Sequence, residues 1–344
     1  DVLANRTLAD NSATFTGTAA QISATFYGGL AGTQTGAVTI TDSSGTIAAT
    51  VLSGIGEETD GVVTAASNGI TISGTTSELT AALVTTASLV VAPNAAVTIS
   101  DEAATAIAAS SLSAIGAKTS GTVTASNAIA ISGTTAELTA ALVTSSSLVV
   151  AGTSTLTFTD DPTGAELAAI NPKTSGTITL ADTSQAFTGT ATELAAAFDG
   201  FGTNALSGAI TISSGSISAT ELKTISDATS GAITLPSTNF TLSGSSSDLA
   251  DALSGNFSNY AGNVTLTDAA PSAANLATIN NKTSGTITLN DNAATFSGTA
   301  ADLSAAFSGG LVGTQTGAVT ITDSSGTIAA TTLTGITAQT SGAV

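Results

Sequence analysis

The chain has 344 residues, a net charge of −19, five lysines and arginines in total, and neither cysteine nor histidine. So acidic a surface excludes nucleic acid as a partner, because affinity for phosphates comes from Lys and Arg. An anionic membrane surface would repel the chain for the same reason. No apolar run approaches the ~18 residues that a bilayer span requires, so we expect no membrane insertion.

Catalysis is hard to build from this composition. Without histidine and cysteine the chain lacks the commonest general base and the thiol nucleophile. A pair of carboxylates could still act, as it does in glycosidases. The acidic residues, however, recur at equivalent positions along the chain, whereas an active site is usually unique. We therefore predict that the protein is not an enzyme.

A repeat runs through the whole chain. The segment GTQTGAVTITDSSGTIAAT occurs identically at residues 32–50 and 313–331. Between the two copies, threonines centred in VTI-like segments recur at alternating long and short spacings, which sum to about 56 residues per pair; fixed periods of this kind indicate a repeat architecture. The twelve threonines in chain order are Thr7, Thr39, Thr64, Thr98, Thr124, Thr157, Thr179, Thr211, Thr234, Thr265, Thr288 and Thr320.

Each repeat reads as a strand followed by a short helix. Apolar residues flank the central threonine, as Val38 and Ile40 flank Thr39, so the apolar side chains face inward and the threonines outward. Equivalent strands of successive repeats should pair in parallel, with the helix as the crossover. We predict a mainly-β fold with short helices: a parallel β-solenoid of about 12 coils in alternating long and short units, helical on one side, and continuous over residues 1–344. The alternative is a string of small independent α/β domains, but 22–34 residues are too few to bury a core.

The helix starts carry their own signal. A hydroxyl residue followed three positions later by an acidic residue is the capping-box spacing, in which each side chain bonds the other's backbone N–H. The pairs are Thr75 and Glu78, Thr134 and Glu137, Thr190 and Glu193, Ser245 and Asp248, and Thr299 and Asp302, with Thr18 and Gln21 as a sixth of the same form.

Aspartates close the strand in the short units, and they allow two interpretations. As a row they could bind calcium, which takes carboxylate and carbonyl oxygens. Alternatively, each aspartate bonds the backbone of the turn that it starts. The turn is the favoured role, because the calcium-binding nonapeptide GGxGxDxUx is absent and two adjacent aspartates occur only at Asp160 and Asp161. The candidates for weak calcium binding are Asp42, Asp101, Asp160, Asp161, Asp268 and Asp323.

The threonines allow an ice-binding interpretation as well. A flat array of outward threonines is similar to the ice-binding face of solenoid antifreeze proteins. The alternative is structural, since threonine favours exposed strand positions and its hydroxyls bond along a ladder. Only the central threonine of each strand is regular, because Val62, Ala209, Ala232 and Asn263 interrupt the second column.

One family resemblance covers nearly the whole chain. The pattern G-T-x-x-E-L-x-x-A-[LF], A-V-T-I-T-D and T-S-G-T-I-T-L, seen for example at residues 133–142, 189–198, 264–268 and 283–289, resembles repeats in very large secreted proteins of marine bacteria, especially cyanobacteria. Such proteins are described as adhesin-like or surface-layer-associated. The resemblance implies an extracellular or cell-surface location, a non-enzymatic role and, often, calcium dependence.

Together these observations predict an extracellular structural protein that forms or extends a filament or surface layer. The expected partner is another copy of the chain, bound head to tail, because the first and last repeats are closely similar and such a contact does not close. The alternatives are the stalk of a large cell-surface adhesin and an ice-binding protein.

Overall fold

A computed structural model describes residues 7–213, 217–235, 241–257 and 260–344. Over these residues the chain contains twelve α-helices and six small parallel sheets, with 34% of residues helical and 23% in strands. We call one helix together with the strands that precede it a repeat, and we number repeats by their helices.

Most of the helices have seven to ten residues. The exception is α3, which continues as a π-helical turn over Thr80–Val84. Two 3₁₀ turns, Thr86–Ser88 and Asn171–Lys173, complete the helical segments of the described residues. The helices are α1 Ala19–Tyr27, α2 Ala49–Glu57, α3 Thr76–Leu79, α4 Ala109–Gly116, α5 Thr135–Leu142, α6 Gly164–Ile170, α7 Ala191–Phe198, α8 Ala219–Ala228, α9 Ser246–Leu253, α10 Ala273–Lys282, α11 Ala300–Phe307 and α12 Ala330–Gln339.

The strands are shorter than the helices, with two to five residues each. Their central threonines and apolar flanks follow the period of two that a strand imposes. The strands are β1 Phe15–Gly17, β2 Val38–Ile40, β3 Gly45–Ala48, β4 Val63–Thr64, β5 Ile70–Gly74, β6 Val90–Val91, β7 Ala96–Ile99, β8 Ala106–Ala108, β9 Val123–Ala125, β10 Ala130–Gly133, β11 Val149–Val150, β12 Thr155–Phe158, β13 Ile178–Thr179, β14 Phe187–Gly189, β15 Ile210–Ile212, β16 Ile233–Thr234, β17 Thr241–Gly244, β18 Asn263–Leu266, β19 Ile287–Thr288, β20 Phe296–Gly298 and β21 Val319–Ile321.

The chain divides into two compact units. The first comprises residues 1–162 and 169–181, and the second comprises residues 163–168 and 182–344. The first unit contains the sheets β1-β2-β4-β6, β3-β5-β7-β9-β11 and β8-β10-β12-β13. The second contains β14-β15-β16, β17-β18-β19 and β20-β21. Every strand pair is parallel, and paired residues lie 22–27 positions apart in the chain, so each strand pairs with a segment one repeat away.

The predicted mainly-β solenoid is wrong, and the fold is α/β. Helices hold more residues than strands, because all the α-helices but α3 extend over seven to ten residues, whereas most strands have only two to four. The strands also do not form one continuous sheet. Thr39 pairs with Thr64, but Thr64 pairs next with Val91 and not with Thr98. Strands such as β5 lie between the predicted threonine strands in the chain and pair with them. In this way Thr98 of β7 pairs with Ser73 of β5, and the predicted ladder of threonines is interrupted.

The core of each repeat lies between its strands and its helix. In β2, Val38 and Ile40 are buried and Thr39 is exposed, as the alternation requires. Leu52 and Ile55, one turn apart on α2, are fully buried against the same interior. Three odd-numbered repeats place an edge-to-face phenylalanine pair at this position, Phe15 with Phe26, Phe187 with Phe198, and Phe296 with Phe307, with ring centroids 5.0, 5.1 and 5.3 Å apart.

Candidate functional site at the joints between repeats

The helix starts of four odd-numbered repeats carry both capping bonds that the spacing predicted. At Thr75 the hydroxyl accepts from the Glu78 N–H at 3.3 Å, and the Glu78 carboxylate accepts from the Thr75 N–H at 2.7 Å. Both bonds also form at Thr18 with Gln21, at Thr134 with Glu137, and at Thr190 with Glu193. At each of these helix starts, two backbone N–H groups therefore have a side-chain acceptor.

Two predicted capping boxes form only in part. The hydroxyls of Ser245 and Thr299 accept from the N–H groups of Asp248 and Asp302, but no reciprocal box forms at these helices. Each hydroxyl instead donates to the carboxylate of its aspartate, at 2.8 and 2.9 Å. The physical reason is reach, since aspartate is one methylene shorter than glutamate.

The strand-closing aspartates bond a neighbouring repeat and not their own turn. The carboxylate of Asp101 accepts from the N–H of Thr76 at 2.6 Å and from its hydroxyl at 2.7 Å. Thr76 is the first residue of α3, so the bond satisfies a helix N–H that has no partner within the helix. A negative charge at a helix N-terminus is also favourable. The same bond joins Asp42 to Ala19, Asp160 to Thr135, Asp268 to Ser246, and Asp323 to Ala300.

We call these five contacts the aspartate caps. The sixth equivalent position holds Ser213, whose repeat is joined to its predecessor differently. There the hydroxyl of Thr192, in the first turn of α7, donates to the carboxylate of Glu221 in the next repeat at 2.8 Å. A carboxylate from the following repeat thus contacts the first turn of all six odd-numbered helices.

The geometry bears on the calcium interpretation. Five of the six candidate aspartates direct a carboxylate oxygen at a helix N–H, and only Asp161 is exposed without such a contact. In the part of the chain that the structure describes, no three acidic side chains converge as a possible metal site. Calcium binding remains a prediction that these contacts do not support.

A second joint occurs at the sequence Thr-x-Gly. At Thr59 the side-chain hydroxyl donates to the carbonyl of Gly36, one repeat earlier, at 3.1 Å, and accepts from the N–H of Gly61 at 2.9 Å. The residue between them, Asp60, donates its backbone N–H to the carbonyl of Gln34 at 2.7 Å. We call this arrangement the Thr-x-Gly corner. It recurs with threonine at Thr119, Thr174, Thr229, Thr283 and Thr340.

The glycine of each corner is required by close approach of the backbone. A Cβ atom on Gly61 would lie 2.1 Å from the carbonyl oxygen of Gly36, and one on Gly121 would lie 2.2 Å from that of Ala95. Both distances are far below a van der Waals contact, so a side chain would force the repeats apart. The sequence shows this TSG motif repeatedly, but its role in joining repeats was not predicted.

The threonine ladder exists as short columns. Direct pairs form across the short spacings, for example Thr98 with Thr124 and Thr157 with Thr179. Val91 and Val150 occupy the next positions in two of the columns. Thr7 lies outside any strand. The other threonines of the set are exposed or half-buried; they are Thr39, Thr64, Thr211, Thr234, Thr265, Thr288 and Thr320. Columns of two or three threonines do not make the extended array that the ice-binding alternative requires.

Two capping carboxylates have perturbed acidity. The N–H of Thr190, and then its hydroxyl, hold the pKa of Glu193 below its usual value. Partial burial raises the pKa of Glu221, but bonds from the Ser218 N–H, the Thr192 hydroxyl and the Ser218 hydroxyl outweigh burial and leave it lowered. Both carboxylates are thus stabilised in the charged form that holds the helix start. These bonds account for the direction in which both pKa values are shifted.

Aspartate-closed turns do occur, but elsewhere. Asp10 and Asp182 each accept from the backbone N–H and the hydroxyl of a serine two residues later, and those bonds lower the pKa of both carboxyls. The aspartate caps could not be predicted from the sequence, because each aspartate and the helix N–H that it bonds lie 22–25 positions apart in the chain. The regular recurrence of Asp after the strand was the only available signal.

Comparisons with known proteins add no relative. No known protein family matches the chain, and no curated protein matches it either. Within the described residues, no helix has the length and apolar character needed to cross a bilayer. The resemblance to secreted cell-surface repeats therefore stays an expectation from the sequence.

Proposed function

We propose that this chain is a non-enzymatic structural protein of the cell exterior, which extends a filament or surface layer by joining copies end to end. The observation that carries the proposal is the recurrence of the two joints. The aspartate caps and the Thr-x-Gly corners repeat along the chain, and both use polar groups to hold one repeat against the next. Contacts of this kind can continue from one chain to another without a new type of interface.

The disposition of the reactive groups supports a structural role. Carboxylates are the side chains that a catalyst built from this composition would need, and most of those at equivalent positions accept helix N–H bonds. A general acid or base needs a free oxygen within reach of a substrate proton. These carboxylates instead have donors within the protein.

The net charge of −19 sets the conditions for self-association. Copies of so acidic a chain repel one another, and salt screens that repulsion over a Debye length of about 8 Å at physiological ionic strength. Assembly should therefore strengthen as the salt concentration rises.

Sedimentation velocity over a range of protein and salt concentrations tests the proposal. We expect a series of oligomers that grows with both, and electron microscopy should show end-to-end particles. A chain that stays monomeric across the series would contradict the proposal. That result would instead favour the adhesin-stalk alternative, in which the repeats serve as a spacer within one chain.

A further inference from the structure

The two identical segments have different surroundings. In the first copy, Ile47 is buried, with 5% of its surface exposed. Its counterpart in the second copy, Ile328, is 38% exposed. The contrast extends just beyond the copied residues, since Leu52 is fully buried and its counterpart Leu333 is 41% exposed. The second copy thus presents an apolar surface that is covered in the first.

The first copy shows what covers such a surface. Strand β3 pairs along its whole length with β5, with Ile47 opposite Ile72 and Ala48 opposite Ser73. Helix α2 packs against α3 and the π-helical turn that follows it. The cover is therefore an odd-numbered repeat, whose strand leads directly into a capped helix. In the second copy, Gly326–Ala329 has the same sequence as β3 but pairs with no strand among the described residues.

The first repeat of the chain presents the complementary edge. Its strand β1 pairs with β2 as β5 pairs with β7, with Phe15 opposite Val38 and Ile72 opposite Val97. The edge by which β5 pairs with β3 is unpaired on β1, because β1 lies at the end of its sheet in the described part of the chain. The helix start is also of the same kind, because Thr18 and Gln21 form the box that Thr75 and Glu78 form.

We propose that Gly326–Ala329 of one copy binds β1 of a second copy as a parallel strand, in the register that β3 and β5 show within the chain. The inference rests on the proposed end-to-end assembly and specifies its contact. Transferring the observed register places Ile328 opposite Phe15, and Thr327 opposite Thr14. Helix α12 then packs on α1 of the second copy, which covers Leu333. An unpaired strand edge is a ready template for such pairing.

Cysteine cross-linking tests the register, because the chain has no cysteine of its own. A chain that carries both Thr14→Cys and Thr327→Cys should give a ladder of covalent multimers beyond the dimer on treatment with a short bismaleimide. Each single variant can give dimers at most. The matched control combines Thr14→Cys with Thr322→Cys, since Thr322 is exposed but lies five positions from the proposed partner. That pair should give a much weaker ladder.

A charge substitution tests the apolar contact independently. Ile328→Lys would bury an unpaired charge in the interface and should weaken association by ~10-fold or more. Val312→Lys is the control, because Val312 is 45% exposed in the same repeat and its backbone N–H bonds the preceding repeat, at the carbonyl of Ile287. Circular dichroism should show both variants folded, since both side chains are exposed.

The outcomes separate the register from the assembly. A ladder at Thr14 and Thr327, together with loss of association in Ile328→Lys alone, supports the inference. Association that persists in Ile328→Lys, with equal ladders from both cysteine pairs, overturns the register and leaves the proposed function standing. A chain that does not associate at any concentration overturns both.

Discussion

The two copies of the 19-residue segment, at residues 32–50 and 313–331, allow one sequence to be compared in two settings. The contacts that each copy makes with the preceding repeat are the same. Asp42 and Asp323 cap the preceding helix at 2.7 and 2.6 Å, and Gly45 and Gly326 both have a φ of +96°. What faces the following repeat differs, because among the described residues a further repeat packs on the first copy and none packs on the second. Burial in this fold is thus supplied by the neighbouring repeat, and not by the segment itself.

The largest effect should separate Leu52→Ala from Leu333→Ala. Leu52 is fully buried, so truncation leaves a cavity and should cost about 2–5 kcal/mol of unfolding free energy. Leu333 is 41% exposed, and its truncation should cost less than about 1 kcal/mol in the monomer. Urea unfolding followed by circular dichroism, at a protein concentration that keeps the chain monomeric, measures both. Equal losses would show that the two surroundings do not differ as described.

A glycine pair should behave alike in the two copies. Gly45 and Gly326 both occupy the left-handed region, and a Cβ atom on either would meet nothing within 4 Å. Gly45→Ala and Gly326→Ala should therefore each cost about 1–2 kcal/mol from backbone strain alone. The same denaturation experiment applies. A cost at Gly45 without one at Gly326 would mean that the unpaired segment relaxes its backbone.

The aspartate caps should also be equivalent. Removal of either carboxylate leaves a helix N–H without its partner, so Asp42→Ala and Asp323→Ala should each cost about 1 kcal/mol. The control is Asp161→Ala, at an exposed carboxylate that caps no helix, and it should leave the midpoint unchanged. A loss confined to one of the two caps would argue that they are not the same joint.

The smallest expected effect is on stability at low pH. It contrasts the helix start of α7, where Glu193 titrates, with that of α1, where Gln21 is neutral. The pKa of Glu193 is lowered in the folded state, so its stabilising contribution is complete above its unfolded pKa of about 4.5 and is lost as the pH falls through the lower folded value. Glu193→Gln should remove that part of the acid sensitivity, because Gln21 makes the equivalent bonds at α1 without a charge. Thermal melts between pH 3 and 7, compared with the original chain, measure the change. An unaltered slope would place the acid sensitivity elsewhere.

The repeat, the parallel pairing and the helix starts could be predicted because their signals are local or periodic. The capping spacing lies within one helical turn, and apolar alternation around Thr39 fixes which face is buried. The fold class was wrong because helix length is decided by how far each Ala- and Leu-rich segment stays packed. The prediction of one continuous sheet was wrong because a strand pairs with whichever strand of the neighbouring repeat lies beside it, and that is decided by the stacking of the repeats.

The candidate site shows the same division. Recurrent aspartates and the TSG motif are visible in the sequence, but their partners are one repeat away and cannot be read from spacing. Asp101 could have bonded its own turn, as Asp182 does. The neighbouring repeat instead brings the N–H of Thr76, at the N-terminus of α3, to 2.6 Å from the carboxylate, and that contact decides the role of Asp101.

The sequence by itself determined where the capped helices begin, since a cap depends on residues within a few positions of one another. Only the tertiary structure decided whether an identical stretch is a strand. Gly45–Ala48 is one because β5 lies beside it, and Gly326–Ala329 is not. A strand is stabilised by hydrogen bonds to a neighbour, and no residue can supply that neighbour from its own sequence.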